Sequence, residues 1–367
     1  MNYPHLKKMR YSLAVGITES GQRFDTEENL ATIKANADQL FDILFTSRVA
    51  PFTTDAHALL INQEDADRLL EQMLNIQEAT GVAVSPIFNN IFVPNTKENL
   101  DVFIDNFRPL YERGVRSITQ PHLLWMLTGR LQQAFPELMF KDTVLRETRS
   151  AQDFWNHAEA GYSYVNIDRR LARDEKELRE IHRAQNKFFE KTGRYVYTSL
   201  LIGELCMGHC PLWREHYQHT LTNSSMNDSA EVNLQLFLWP ARFSCIKRRF
   251  ELNTKYDGLD DAGLPYISED LDHLCQYFDV IKLPGRRLTD ALNRFVNEIV
   301  HHDRPIFLRE DASVMQAYLA GKWPREFSRW RKAIKNCRYQ CWDCSICADL
   351  FALAGEATAV EKPAFLR

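Results

Sequence analysis

Between Glu204 and Tyr217 the chain reads ELCMGHCPLWREHY, which sets Cys206 and Cys210 among His209, His216, Glu204, Glu215 and Arg214. Thiols spaced C-x3-C on a turn can reach one metal ion, either as zinc ligands or as iron–sulfur ligands. A bare pair of this kind is nearly as often two buried thiols. A second set, Cys337, Cys341, Cys344 and Cys347, runs C-x3-C-x2-C-x2-C and can offer four thiolates. Clustered cysteines favour an iron–sulfur cluster there, with zinc as the alternative. Cys245 and Cys275 stand alone, and Cys275, in DLDHLCQYF, reads as a core residue on a helix.

The other groups near these sulfurs have chemistry of their own. His209 and His216 could ligate iron or deliver a proton at neutral pH, as could His219; the alternative for each is a solvated or supporting histidine. Arg214 and Arg286 suit carboxylate or phosphate recognition, because a guanidinium fork matches planar anions. Glu204 is a candidate catalytic carboxylate beside the first cysteine pair. The stretch WPREFSRWRKAIKNCRYQCW mixes aromatic and basic residues, which could stack on nucleic acid. More often such a run is a surface helix with a buried tryptophan face.

Elements must bring these groups together, and the sequence alternates apolar runs with amphipathic stretches. Strands are expected at Tyr11–Ile17, Phe41–Ser47, Val82–Phe88, 115–119, 138–145, 162–167, Tyr195–Ile202 and Phe278–Leu283. Helical periodicity fills the gaps, for example in DEKELREIHRAQNKFFEKTG, where Leu178, Ile181, Gln185, Phe188 and Phe189 share a face. Asp174 with Glu177 predicts a capping box at its start, and Gly193 a stop. Eight strands separated by helices point to a closed (β/α)8 barrel, with an open doubly wound sheet as the runner-up. In a barrel, function gathers at the carboxyl ends of the strands. That places Arg48, Asn89, Asn90, Asp168 and Lys282 where catalysis happens; for Asn90 and Asp168, turn and cap chemistry is the stronger expectation. Lys282 serves either a site or a structural ion pair. Residues 1–300 are expected to form the barrel, with a cysteine-bearing insertion at 203–275, and residues 301–367 a Cys-rich extension.

Composition narrows the function classes. A net charge of −4, with 45% hydrophobic and 26% charged residues, is that of an ordinary soluble protein. It gives no reason to expect DNA or membrane partners. No 18-residue apolar run occurs, and the amino terminus holds no signal-peptide core, so a cytoplasmic protein is expected. Eight cysteines in such a chain do not read as a disulfide framework. No nucleophile with a credible base and no HExxH motif occurs, so a protease is not expected.

Three segments carry a resemblance. FKDTVL leading to EAGYSYVNIDRRLARDEKELREI, LLIGELCMGHCPLWREHY, and YISEDLDHLCQYFDVIKLPGR together resemble the collagenase-like peptidase superfamily. The resemblance covers about half the chain, from Leu138 to Arg286. It implies a complete or incomplete barrel with a 4Fe–4S cluster held around the insertion before the last strand. Cys206, Cys210 and Cys245 match three ligands; the fourth position is lacking, leaving Cys337 or an open iron. The tail cysteines would then complete that cluster or hold a second one.

The resemblance also implies oxygen-independent redox or hydroxyl-transfer tailoring of a small organic substrate or an RNA base. An accessory redox partner or a homologous subunit is a further possible partner. Glu204, His216, Lys282, Arg286 and Asn89 are the catalytic candidates, and Arg214 and His209 the cofactor-binding ones. Two alternatives stay open: a non-catalytic barrel stabilised by zinc or a cluster, and a radical-SAM-like enzyme using the tail C-x3-C-x2-C.

Overall fold

The computed structural model describes residues 10–16, 21–49, 52–53, 63–202, 273–283, 288, 292, 295, 321–340 and 342–353. Eight parallel strands form a closed barrel: β1 (Arg10–Val15), β2 (Leu40–Thr46), β3 (Ala83–Ile87), β4 (Ser117–Thr119), β5 (Met139–Lys141), β6 (Tyr164–Ile167), β7 (Tyr197–Leu201) and β8 (Val280–Lys282). Each expected strand is present. Closure comes from β8, which pairs with β7 on one side and with β1 on the other, Arg10 lying opposite Val280 and Ser12 opposite Lys282. The open-sheet alternative is thereby excluded.

Helices cover the outside: α1 (Glu27–Ala35), α2 (Gln63–Thr80), α3 (Lys97–Glu112), α4 (Leu123–Leu127), α5 (Arg130–Ala134), α6 (Ala151–Ala160) and α7 (Glu175–Thr192). In α2, Leu69, Leu70, Met73 and Ile76 recur at helical spacing and are all buried, so one stripe faces the sheet. Thr26, Thr96 and Ser150 cap α1, α3 and α6 through side-chain bonds to the first-turn backbone. The expected single helix around 126–135 is divided in two, because Gly129 adopts φ 70° and breaks the run between α4 and α5.

The start of α7 differs in detail from a full capping box. Asp174 accepts from the Glu177 N–H at 3.1 Å, as expected, and Gly193 ends the helix at φ 69°. The Glu177 carboxylate, however, accepts from the Ala151 N–H at 2.9 Å and so caps α6 instead. One residue therefore ties the two helices that carry the β5 and β6 connections.

Past the last barrel strand, α8 (Pro324–Ile334) and α9 (Ile346–Leu353) follow. Phe327, Trp330 and Ile334 of α8 and Leu350 of α9 join the same hydrophobic cluster as the barrel core. The chain after α8 docks on the start of α7, where the Glu175 N–H donates to the Lys335 carbonyl at 3.0 Å. The basic, Trp-rich stretch is thus a helix with a buried Trp330 face. No helix among the described residues is long and apolar enough to cross a membrane.

Candidate active site

Strand alternation sorts the barrel residues into two sets. Outward side chains such as Leu13, Ile43, Val84, Ile118, Val165 and Ile281 are apolar and packed under the helices. The inward set is mostly polar: Ser12, Asp42, Ser85, Ser117, Lys141, Tyr164, Asn166 and Ser199 are all buried, with Leu44 and Val280 among them. Barrel interiors are ordinarily filled by Val, Ile and Leu. A lumen of hydroxyls and charges lacks that packing, and it holds its polar groups by bonding them to one another.

Lys141 and Asp42 are the centre of this lumen. The Lys141 ammonium forms an ion pair with the Asp42 carboxylate, both side chains being 1% exposed. The Ser12 hydroxyl donates to the other Asp42 oxygen at 2.5 Å. Tyr164 interacts through its hydroxyl with Ser12 and Ser199, and Ser199 donates to Asn166 Oδ1 at 3.0 Å. Burial, and then repulsion from Lys282, hold the Lys141 amine well below the ordinary lysine range. Burial pushes the Tyr164 phenol up, so it stays protonated.

Below this layer the amino end of the barrel is filled by tilted and edge-on rings. The Arg10 guanidinium lies 4.6 Å from the Phe41 ring and 5.4 Å from the Tyr197 ring, and Phe41 contacts Tyr164 at 5.2 Å.

The carboxyl rim has a fully paired sector. Asp142, just after β5, accepts from the Asn166 N–H at 2.5 Å and lies 3.0 Å from His157 Nδ1 on α6. Glu147, held at φ 54°, accepts from Arg149 and from Arg170, the latter at 2.6 Å. Asp168 accepts from the same two arginines, at 3.1 Å from Arg149 Nε and 2.9 Å from Arg170 Nε. Burial of Asp168 works against its charge, but these bonds hold its carboxyl below the usual range. Asp168 also caps the 3-10 turn Arg169–Arg173, and Asn90 Oδ1 accepts from the Phe92 N–H at 3.0 Å. Both residues therefore do the cap and turn chemistry expected of them.

A second sector, between β4 and β5, is not fully paired. His122 is 2% exposed and packs tilted against Trp125 with ring centroids 4.2 Å apart. Its Nδ1 has no hydrogen-bond partner among the described residues. Burial, and then the Arg146 charge, depress its pKa to about 3, so the ring is neutral. Arg146 bonds through Nε to the Pro121 carbonyl.

Of the residues singled out in the sequence, Lys282 and Asn89 fall at this end. Lys282 closes β8 opposite Ser12, on the lumen side near Lys141. Asn89 is half-buried in the turn after β3. Glu204, Cys206, His209, Cys210, Arg214, His216, Cys245, Arg286 and Cys341 lie outside the described residues. Lys141, Asp42, Ser12, His122 and Arg146 were not picked out in the sequence. The usable signal was a charge in a barrel strand, Asp42 in LFDILFT and Lys141 in MFK, on the face where branched apolar residues are ordinary.

Three tail cysteines can be placed. Cys337 Sγ receives Arg173 Nη1 at 3.8 Å and the Tyr339 N–H at 3.5 Å, Tyr339 being turned to φ 56°. Arg173 is buried, which works against its charge, but Tyr339, Cys347 and Cys337 beside it hold the guanidinium protonated. Cys347 is half-buried and Cys344 exposed. Two N–H donors on one sulfur suit a thiolate ligand. Yet no group of three or more His, Cys, Asp or Glu side chains converges as a metal site among the described residues. Cys275 is half-buried and packs at the margin of the core.

No family model and no curated protein matches the chain. Among solved structures it is similar to a U32 peptidase, at 12% identity over 76% of this chain and 95% of that one, with a TM-score of 0.43. A putative lyase/mutase from Burkholderia cenocepacia is similar at 12% identity over 90% and 95% of the two chains, with a TM-score of 0.37. A 2,3-dimethylmalate lyase of the PEP mutase/isocitrate lyase superfamily is similar at 9% over 90% and 96%, also with a TM-score of 0.37. Likenesses this remote say nothing of activity or substrate.

Proposed function

We propose that this chain is a distant relative of the collagenase-like peptidase superfamily and an enzyme, working on a small organic substrate or an RNA base at the carboxyl end of the barrel. The observation that carries the enzyme reading is the buried Lys141–Asp42 pair inside a polar lumen. Two buried charges cost several kcal/mol to desolvate, and apolar residues of equal volume are often as stable or more so. A barrel that keeps them in its centre, next to Lys282, has a use for a titratable amine. An amine lowered in pKa by burial gives up its proton more readily than a surface lysine, with Asp42 fixing its position and Tyr164 supplying a protonated phenol nearby.

The reaction class we propose is oxygen-independent redox or hydroxyl-transfer tailoring, with Cys206, Cys210 and Cys245 holding a 4Fe–4S cluster and Cys337, Cys341, Cys344 and Cys347 completing it or holding another. When bound, such a cluster supplies one-electron transfer. The hydrogen bonds to Cys337 Sγ support this for one tail ligand. Arg173 and the Tyr339 backbone would orient its sulfur. A cytoplasmic setting, reducing enough to keep free thiols, fits this use of cysteine.

Anaerobic purification with iron, sulfide and zinc counted per chain tests the cluster. About four irons with four sulfides fit one cluster and about eight fit two; zinc without sulfide overturns the redox assignment. The 1% exposure of Lys141 favours a second reading, in which the ion pair only braces the barrel. Under that reading, replacing the pair by Met and Leu leaves ligand binding and turnover unchanged.

A further inference from the structure

The β4–β5 sector of the rim bears on what the site takes, and the inference rests on placing the substrate at this end of the barrel. His122 follows β4 and is fixed from both sides. Its backbone N–H donates to Gln120 Oε1 at 2.6 Å, and the Gln120 amide is held in turn by Tyr162. The Asn90 backbone interacts with the His122 ring, and with Nδ1 lacking a partner among the described residues we assign the ring proton to Nε2, on the Asn90 side. In a neutral imidazole the other nitrogen is then a lone-pair acceptor. That nitrogen is Nδ1, buried and with no partner among the described residues. A buried acceptor without a donor costs free energy that a ligand hydroxyl would recover.

Arg146 stands beside it. Its Nε is tied to the carbonyl of Pro121, the residue just before His122, which anchors the guanidinium at that spot. Arg149 and Arg170, a few residues away, are each neutralised by Glu147 and Asp168. Arg146 forms no ion pair among the described residues. A third group adds to the set: Thr119 Oγ1 at the end of β4 is buried, 2% exposed, and also without a hydrogen-bond partner among the described residues. Ser117, two residues earlier on the same face, accepts from Ser85 on the neighbouring strand β3 at 3.2 Å, both hydroxyls facing inward, so Thr119 lies on the lumen side.

We propose that this sector is a recognition edge for a hydroxylated carboxylate. The Arg146 fork takes the carboxylate as a bidentate anion, and the His122 Nδ1 lone pair accepts from the neighbouring hydroxyl of the same molecule. Thr119 offers a further hydroxyl contact on the lumen side, toward Lys141. A bare anion would satisfy Arg146 alone and leave His122 without a donor. That difference separates a hydroxy acid from inorganic phosphate or a simple carboxylate.

The test is direct binding to the full-length, anaerobically purified protein, followed by tryptophan fluorescence, since Trp125 packs against His122. Glycolate, lactate and malate are compared at equal ionic strength with acetate, propionate, succinate and inorganic phosphate. We expect saturable binding of at least one hydroxy acid, about tenfold tighter than its deoxy counterpart. Arg146→Gln should weaken it about tenfold or more, and His122→Gln should abolish the preference for the hydroxyl. Circular dichroism and urea midpoints establish that each variant is folded. Equal binding of hydroxy and deoxy acids, tighter binding of phosphate, no saturable binding, or full binding by folded Arg146→Gln each overturn the proposal. Binding lost in Lys141→Met but unchanged in Arg146→Gln would overturn the rim assignment while leaving the lumen site standing.

Discussion

Two sectors of the barrel rim, a few residues apart, treat their charges in opposite ways. On the β5–β6 side, Glu147 and Asp168 each serve both Arg149 and Arg170. On the β4–β5 side, Arg146 stands without an ion pair among the described residues, and His122 Nδ1 and Thr119 Oγ1 are buried with no partner. Closed networks brace a fold; buried groups left open lower its stability and are kept where something else completes them. The comparison marks the first sector as scaffold and the second as the side from which a ligand is read.

The lumen lies between these sectors, and breaking it should have the largest effect. Asp42→Ala leaves the Lys141 charge buried alone, and we expect a loss of about 3–5 kcal/mol in urea unfolding. Pairing Lys141→Met with Asp42→Leu should recover most of that stability. If the single and the double changes are equally damaging, the ion pair is not what holds the lumen.

Next in size is a pH effect in the open sector. The folded pKa of His122, about 3, lies below the unfolded value of about 6.5. The unfolded chain therefore binds the proton more readily through that interval. The stability from keeping the ring neutral is full above the unfolded pKa and is lost as pH falls toward the folded one. Between pH 7 and pH 5 this amounts to about 2 kcal/mol. His122→Phe should flatten the profile over that range, and an unchanged slope would contradict the neutral, buried assignment.

The paired sector should respond less. Asp168→Asn removes a carboxylate that two arginines share and that caps a 3-10 turn, at an expected cost of about 1–3 kcal/mol by thermal denaturation. Its stabilising part is present above the ordinary aspartate pKa and disappears as pH drops through the lowered folded value. At the small end, Arg183→Ala on α7 breaks an ion pair whose arginine side chain is 80% exposed, and a change under about 0.5 kcal/mol is expected. A larger loss there would show that the outer helix surface is more than solvated scaffold.

Much of the frame was legible in the sequence because period and punctuation agree. Eight β-rich runs separated by amphipathic stretches give the strand order, and caps such as Asp174 and Gly193 sit where their side chain and backbone freedom are needed. Closure was not readable in the same way, since it depends on Val280–Lys282 reaching β1 and β7 across a long insertion. The pairing of Glu177 with α6 was hidden for the same reason: local spacing suggests a reciprocal cap, and a tertiary neighbour took the carboxylate.

The site was less legible. Attention to cysteines drew the eye to thiol chemistry, whereas the described part of the rim is built from Lys141, Asp42, His122 and Arg146. Each of these is an ordinary residue in sequence, and only the inward register of its strand or the lack of a partner gives it meaning. Lys282 was the exception, because a lysine closing a barrel strand is conspicuous in itself.

The measurement that bears most directly on a working amine in the lumen is nuclear magnetic resonance of the lysine 15Nζ atoms across a pH titration. We expect Lys141, assigned by its loss in Lys141→Met, to titrate well below the surface lysines and to shift when a hydroxy acid binds. A Lys141 amine that stays charged alongside the surface lysines and is indifferent to every ligand would contradict a functional role and leave the pair a brace.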